Sequence, residues 1–408
     1  MTSKAHNLPH IKVNLLILAY IAFVTLGLPS GLLGVAWPTL REDFGQPLDA
    51  MGVLFISSTA GYLISSFFIA RLINRFGIGS LLIFSSLGSA VSLFGYTIAP
   101  SWGIVVAMGC IGGFSSGVMD AGLNTYLAAE YNEGNMQWLH ASFGFGATLG
   151  PIIMTYSLSH FVSWRPGYIF VGTLLVFMTV SFILTYSSWK RPKTATIETD
   201  KPGSGEPGLM DYQTSLWETL ARPITWISIF MFLLYTGAEL TLGNWTYTLF
   251  TEGRGVSPQL AGLWAGGFWA TFTLGRILAG LYAHHIRLNT LLLGAMLLAL
   301  LGAVLFWWNP LPLVGVAGVF VVGFAMAPIF PGLVSSTDRR VSHRHAANTI
   351  GIQISAAGLG GALLPSLAGA LAQRISLETI PVMLAFSLIG LLLLFWFSTT
   401  TPFRKSSV

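Results

Sequence analysis

Charge is scarce in this chain. Asp, Glu, Lys and Arg make up 9% of its 408 residues, against roughly a quarter in a soluble domain. That excludes a solvated globular surface. Cysteine is nearly absent too. The single thiol, Cys110, allows no intrachain disulfide. No glycine-rich Gly-x-x-x-x-Gly-Lys-Ser/Thr loop is present to cradle ATP phosphates, so any uphill transport must be driven by a gradient. No metal-ligand spacing stands out, and no cofactor or enzymatic signature is found. The excess of base over acid, net charge +5, lies in loops and does not read as a nucleic-acid surface.

What fills the chain is apolar: 53% hydrophobic residues, mean hydropathy +0.71, and 46 glycines, a composition suited to helices packed closely in lipid. A helix crossing about 30 Å of hydrocarbon needs about 20 apolar residues. Twelve such runs fall near 13–37, 50–73, 78–99, 102–128, 137–162, 166–188, 223–249, 258–283, 288–308, 311–335, 346–372 and 377–399. The first is too long for a signal peptide and is expected to remain as a helix. The fold class is therefore all-α and polytopic, with twelve transmembrane helices in two six-helix bundles. A bundle over 1–189 and another over 223–408 flank a polar linker over 190–222, which contains KPGSGEPG and reads as flexible. With both termini placed in the cytoplasm, sixteen of the twenty basic residues fall on the inner side and only Arg41, Arg165, Arg254 and Arg374 outside, as the positive-inside rule requires. An integral plasma (inner) membrane location follows as the expectation.

The halves repeat each other. Gly144 and Gly146 with Pro151 in span five match Gly358 and Gly360 with Pro365 in span eleven. Internal symmetry of six plus six spans marks a secondary transporter, with a site expected between the halves.

The stretch Gly109–Asn124, GCIGGFSSGVMDAGLN, is the most informative. Glycines at 109, 113 and 117 leave one helical face bare. Asp120 stands beside it, with Asn124 one turn on. An acid inside an apolar span costs roughly 2.5–3.5 kcal/mol on insertion scales, which points to an ion or substrate pathway. A snorkelling or structurally paired acid is the other reading. Of fifteen acids, only Asp120 and Glu239 lie well inside a span. Both are candidates for proton coupling. Glu239, flanked a turn away by Tyr235 and Gly243, could instead accept a solute's hydroxyls or make a structural hydrogen bond.

Binding a small polar solute calls for hydrogen-bonding side chains and flat apolar faces. Asn124, His140, Tyr235, Asn244, Trp245, Trp264, Trp269 and Gln353 are the candidates. Trp37 and Trp245 also suit the outer membrane interface, and His140 a packed helix. Pro328 and Pro331 in span ten remove two backbone donors and predict a break or hinge. His343 and His345 read as part of a basic loop rather than a site.

Twelve spans, a central linker and ARLINRFG after span two resemble the major facilitator superfamily. Its loop pattern there is Gly-x-x-x-Asp-Arg-x-Gly. Ala70 and Asn74 depart from it, while Arg75 and Gly77 match and by this resemblance would take part in gating. A narrower resemblance is to the fucose–galactose–glucose proton symporters. It rests on Asp120 four residues before Asn124, and on Gln137-Trp138-Leu139-His140 followed by Phe145-Gly146-Ala147 and Gly150-Pro151. It implies that Asp120 carries the proton, with Asn124 and His140 near the sugar. The second acid of the L-fucose member, in span one, has Gly34 at its place here, four before Pro38. The expected function is proton-coupled symport of a monosaccharide or related small polar solute by a monomer in the bilayer. The alternative is a drug/proton antiporter. Gly146-x-x-x-Gly150-Pro151 is similar to the antiporter motif of span five, but Ile152, Ile153 and Met154 replace the glycines that follow. A facilitator without coupling also stays open.

Overall fold

The computed structural model describes residues 8–131, 133–189, 214–282 and 285–400. Its long helices are α1 (Leu8–Asp43), α2 (Met51–Phe76), α3 (Ile78–Ile98), α4 (Trp102–Glu130), α5 (Glu133–Phe161) and α6 (Arg165–Leu184). A short α7 (Leu216–Leu220) precedes α8 (Pro223–Thr248), α9 (Pro258–Tyr282), α10 (Leu288–Trp308), α11 (Pro312–Met326) and α12 (Ile329–Ser335). A short α13 (Thr337–Val341), then α14 (His343–Arg374) and α15 (Thr379–Thr400), complete the chain. Counting α11 and α12 as one broken span, these are the twelve expected helices. Among the described residues, ten stretches are long and apolar enough to cross a membrane. α5 and α9 are as long but fall outside those ten stretches.

The chain divides into two compact units, Met1–Glu198 with Val256–Gly266, and Thr199–Gly255 with Gly267–Val408. Within the first, α1 packs on α5 and α2 on α4 through glycine. A Cβ on Gly31 would lie 2.7 Å from the carbonyl of Ala147, and one on Gly150 at 2.5 Å from that of Leu28. The second unit uses the same device. Gly237 of α8 abuts Leu364 of α14, and Gly360 of α14 abuts the Leu233 carbonyl. Helices in lipid gain little from burying apolar area against one another, so close backbone approach supplies the attraction instead.

The proline pair breaks span ten as its chemistry predicts. α11 stops at Met326, Pro328 sits at the start of α12, and the Gly332 N–H bonds the Pro328 carbonyl at 3.1 Å. The α2–α3 junction turns at Gly77, whose φ of 77° is the left-handed region where a side chain is strained.

Each unit also ties helix ends with an arginine. Arg165 pairs with Asp43 at 2.6 Å and donates to the Thr97 carbonyl at the end of α3. Arg254 grips Glu378 with two bonds of 2.8 Å and donates to the Phe306 carbonyl near the end of α10. Two of the four cations assigned outside by charge counting are thus held in ion pairs.

Of the linker expected over 190–222, positions 190–213 lie outside the described residues, as do His284 and both termini. The rest contains α7, which is fastened to the start of α14. Thr214 Oγ1 donates to the Arg344 carbonyl at 2.8 Å, Asn348 Nδ2 donates to the Thr214 carbonyl at 2.8 Å, and Thr219 Oγ1 bonds His345 Nδ1 at 3.0 Å. His345 is therefore a buried helical residue, not part of a loop. The sequence reading missed this because polar residues in a helix's first turn look like loop residues.

Candidate functional site

In the first unit the bare face of α4 decides the geometry. A Cβ on Gly109 would meet Ser58 Oγ at 3.2 Å, and one on Gly117 the Tyr62 carbonyl at 2.7 Å. At Gly113 it would overlap the backbone of Ser58. Gly61 of α2 answers against the Phe114 amide at 2.7 Å. Only glycine permits this approach, and the approach carries Tyr62 to the carboxylate of α4. The Tyr62 hydroxyl donates to Asp120 Oδ2. Asn124 Nδ2 donates to Asp120 Oδ1 at 2.7 Å and to the Asp120 carbonyl at 2.9 Å. Both carboxyl oxygens are thereby held by neutral donors. His140, on α5, turns its ring edge-on to Phe23 with centroids 6.0 Å apart. The side chain of Gln137 is not among those described. Trp264 falls in the segment 256–266 grouped with this unit.

In the second unit Glu239 lies on α8 one turn beyond Tyr235 and faces Arg276 of α9, whose charge acts on it and on the Tyr235 hydroxyl. Arg276 is held by stacking, its Cζ 4.6 Å over the Phe272 ring. Trp269, one turn away on α9, packs 5.9 Å from Phe272 and comes against Gly243. The fully buried Tyr235 donates to the Met326 carbonyl at 3.1 Å, at the break between α11 and α12, and its ring lies 5.8 Å from Phe330. Three predicted residues, Tyr235, Glu239 and Trp269, are thus brought together beside the predicted hinge. The buried nitrogens Trp269 Nε1 and Arg276 Nε have no partner among the described residues, an unusual state for polar groups in a protein interior.

The remaining candidates sit apart from these clusters. Trp245 is fully buried and gives its Nε1 to the Pro365 carbonyl at 2.9 Å, while Trp37 gives its Nε1 to that of Leu48 at 3.0 Å. Both indoles are enclosed by protein. Asn244 bonds back to the Leu240 carbonyl of its own helix at 2.8 Å. Gln353 accepts from Thr337 at 3.1 Å, and its buried Nε2 has no partner among the described residues.

Two site residues escaped the sequence reading. Tyr62 carries no sequence signal linking it to α4. Arg276 does carry one, because it lies six residues inside the end of α9, and an intramembrane cation calls for an intramembrane acid. Counting it among the loop cations hid that its charge acts on Glu239.

Comparison with known proteins agrees with this architecture. The family model of the Major Facilitator Superfamily matches residues 19–348 and 227–408. Bypass of stop codon protein 6 of Saccharomyces cerevisiae is 24% identical, covering 95% of this chain and 82% of its own. The glucose/mannose transporter GlcP of Bacillus subtilis is 21% identical over 86% of each chain. Sodium-dependent glucose transporter 1 of Homo sapiens is 24% identical, covering 90% and 75%. Among solved structures, the nucleoside transporter NupG superposes with a TM-score of 0.76 at 15% identity over 96% of this chain and all of its own. The transporter FucP, in its outward conformation, gives 0.61 at 13% identity, again over 96% and all of its own chain. The resemblance read from the twelve spans, the central linker and ARLINRFG is borne out: the chain belongs to the Major Facilitator Superfamily of membrane transporters.

Proposed function

We propose that this protein couples the movement of a proton to the symport of a monosaccharide or a related small polar solute by alternating access. The observation that carries the proposal is the Tyr62–Asp120–Asn124 cluster. A lone carboxyl inside a membrane helix is set in place by two neutral donors and has no fixed cation bonded to it among the described residues. Such a group can gain and lose a proton without breaking an ion pair.

The sugar assignment draws on the relatives named as glucose transporters and on the chemistry of the second unit. Glu239 offers an acceptor, Trp269 and Arg276 offer spare donors, and the aromatic faces beside them suit the apolar face of a pyranose. The sodium-dependent relatives raise sodium as a rival coupling ion. Sodium needs several converging oxygen lone pairs. At Asp120 the two oxygens are met by an O–H and an N–H, whose hydrogens oppose a metal cation. A proton requires only one lone pair.

In this reading the bundles are 1–189 and 223–408, joined by the linker over 190–222. Arg75 and Gly77 gate one end, and Pro328 and Pro331 serve as the hinge. The protein acts as a monomer in the plasma (inner) membrane with cytoplasmic termini. Glu239, faced by Arg276, takes the sugar-binding role rather than a second proton site.

The test is uptake of labelled hexoses into proteoliposomes under an imposed pH gradient or an imposed sodium gradient. Accumulation driven by the pH gradient alone, abolished in Asp120→Asn while sugar exchange persists, is the expected result. Accumulation driven by sodium alone, or undiminished in Asp120→Asn, overturns it.

A further inference from the structure

The loop after α2 departs from its family pattern by losing an acid, and the structure shows what that loss leaves behind. Arg71 and Arg75 lie one turn apart at the end of α2, both exposed. Asn74 stands where the pattern has an aspartate. Among the described residues, no carboxylate pairs with either arginine. Each guanidinium rests on an aromatic ring instead: Arg71 Cζ lies 5.6 Å from the Phe68 centroid, and Arg75 Cζ 5.5 Å from that of Phe76.

Phe76 is also a wall of a cavity of about 340 Å³ formed by α2, α3 and α4. Leu72, Leu81, Phe84, Phe114 and Val118 line the rest, with Ser85 and Ser115 as its polar exceptions. Phe84 is 66% exposed and Phe114 is 40% exposed, so the groove opens outward through apolar side chains. A wall of that kind belongs to lipid rather than water. The groove and the unpaired cations are continuous through Phe76, which lines one and carries the other.

We propose that this groove binds one anionic phospholipid. Its phosphate sits against Arg75 and Arg71 in place of the carboxylate missing at Asn74, and one acyl chain lies along Leu72, Phe84 and Phe114. Three observations favour this occupant. Guanidinium forks match phosphate oxygens in geometry. Basic groups at a helix end beside an apolar groove are the usual form of a headgroup site. A zwitterionic lipid would bring its own ammonium group to a place that already holds two uncompensated cations. The lipid would bridge the end of α2 to α3 and α4, the helices that seat Tyr62 against Asp120. The proposal does not depend on which solute is carried.

The experiment is native mass spectrometry of the full chain in detergent, titrated with phosphatidylglycerol or phosphatidylcholine of identical acyl chains, with thermal unfolding measured in parallel. Wild type should prefer phosphatidylglycerol by roughly tenfold, and that lipid alone should raise the melting temperature. In Arg71→Gln/Arg75→Gln the preference should fall to within about twofold. In Arg71→Lys/Arg75→Lys it should be partly retained, since charge survives and the fork does not. The ratio of the two lipids is insensitive to a general loss of stability in a variant. Equal binding of both lipids by wild type overturns the proposal. So does an unchanged preference in the double glutamine variant, or a thermal shift that inorganic phosphate reproduces without a lipid tail.

Discussion

Tyr62 and Asp120 are 58 positions apart in the chain and share a hydrogen bond. A hydrogen bond to a charged or polar partner contributes roughly 1–3 kcal/mol when its loss strands a buried group. Tyr62→Phe removes the donor and keeps the ring. It is expected to lower unfolding stability by that amount in detergent, while Asp120→Asn alone also destabilises. Because the two side chains act on one bond, the double variant should cost less than the sum of the singles, with a coupling of about 0.5 kcal/mol or more. Additive losses in a chemical-denaturation cycle would mean that the bond contributes nothing. At the same scale Arg276 explains how Glu239 is tolerated. An acid inside an apolar span is costly by itself, and a guanidinium across the helix pair offsets part of that cost. The sequence displayed both acids because polarity in an apolar run is a local signal. It did not display their partners, because Tyr62 and Arg276 sit on other helices and only packing decides which turn faces which.

The α2–α4 pair turns on three glycines. Gly113 leaves no room for a methyl group, because Ser58 backbone already occupies the place a Cβ would take. Gly103, near the start of the same helix, has nothing within 4 Å of that place. Gly113→Ala should therefore push the helices apart, separate Tyr62 from Asp120 and destabilise by about 1–3 kcal/mol, with proton-driven uptake lost. Gly103→Ala should be neutral or stabilising by about 0.4–1 kcal/mol, through lower entropy of the unfolded chain. Thermal unfolding of the two variants side by side checks this, and equal effects would remove the helix approach as the cause. The elements themselves were legible. The twelve spans, and the break in span ten, fall within a few residues of their expected limits, since hydrophobic length and proline chemistry are written locally. What misled was polarity at helix starts. His345 read as a loop residue but bonds α7 to α14.

For the whole molecule, a ligand that binds the folded state alone raises stability by mass action, by about 2.7 kcal/mol at a hundredfold excess over its dissociation constant. A panel of hexoses, pentoses and lipophilic cations should give a melting-temperature rise with at least one sugar and none with the cations. The rise should be lost in Glu239→Gln or Trp269→Phe, whose changes fall in the second unit, and kept in Asp120→Asn. A rise with cations only would move the reading to the antiporter alternative.

The sequence by itself determined that this chain is a polytopic helical protein, how many spans it has, where span ten breaks and which two acids lie in the membrane. Each of these follows from a run of neighbours: the length of an apolar stretch, the missing N–H of a proline, a carboxyl among hydrocarbons. Only the tertiary structure decided which donors reach Asp120, that Arg276 faces Glu239, and that Trp37 and Trp245 are enclosed by protein. The physical reason is that a helix in lipid is apolar all round. Its inner and outer faces carry the same residue types, so the amphipathic stripe that orients a helix in water is absent, and the small residues that set the contacts act only through the partner they meet.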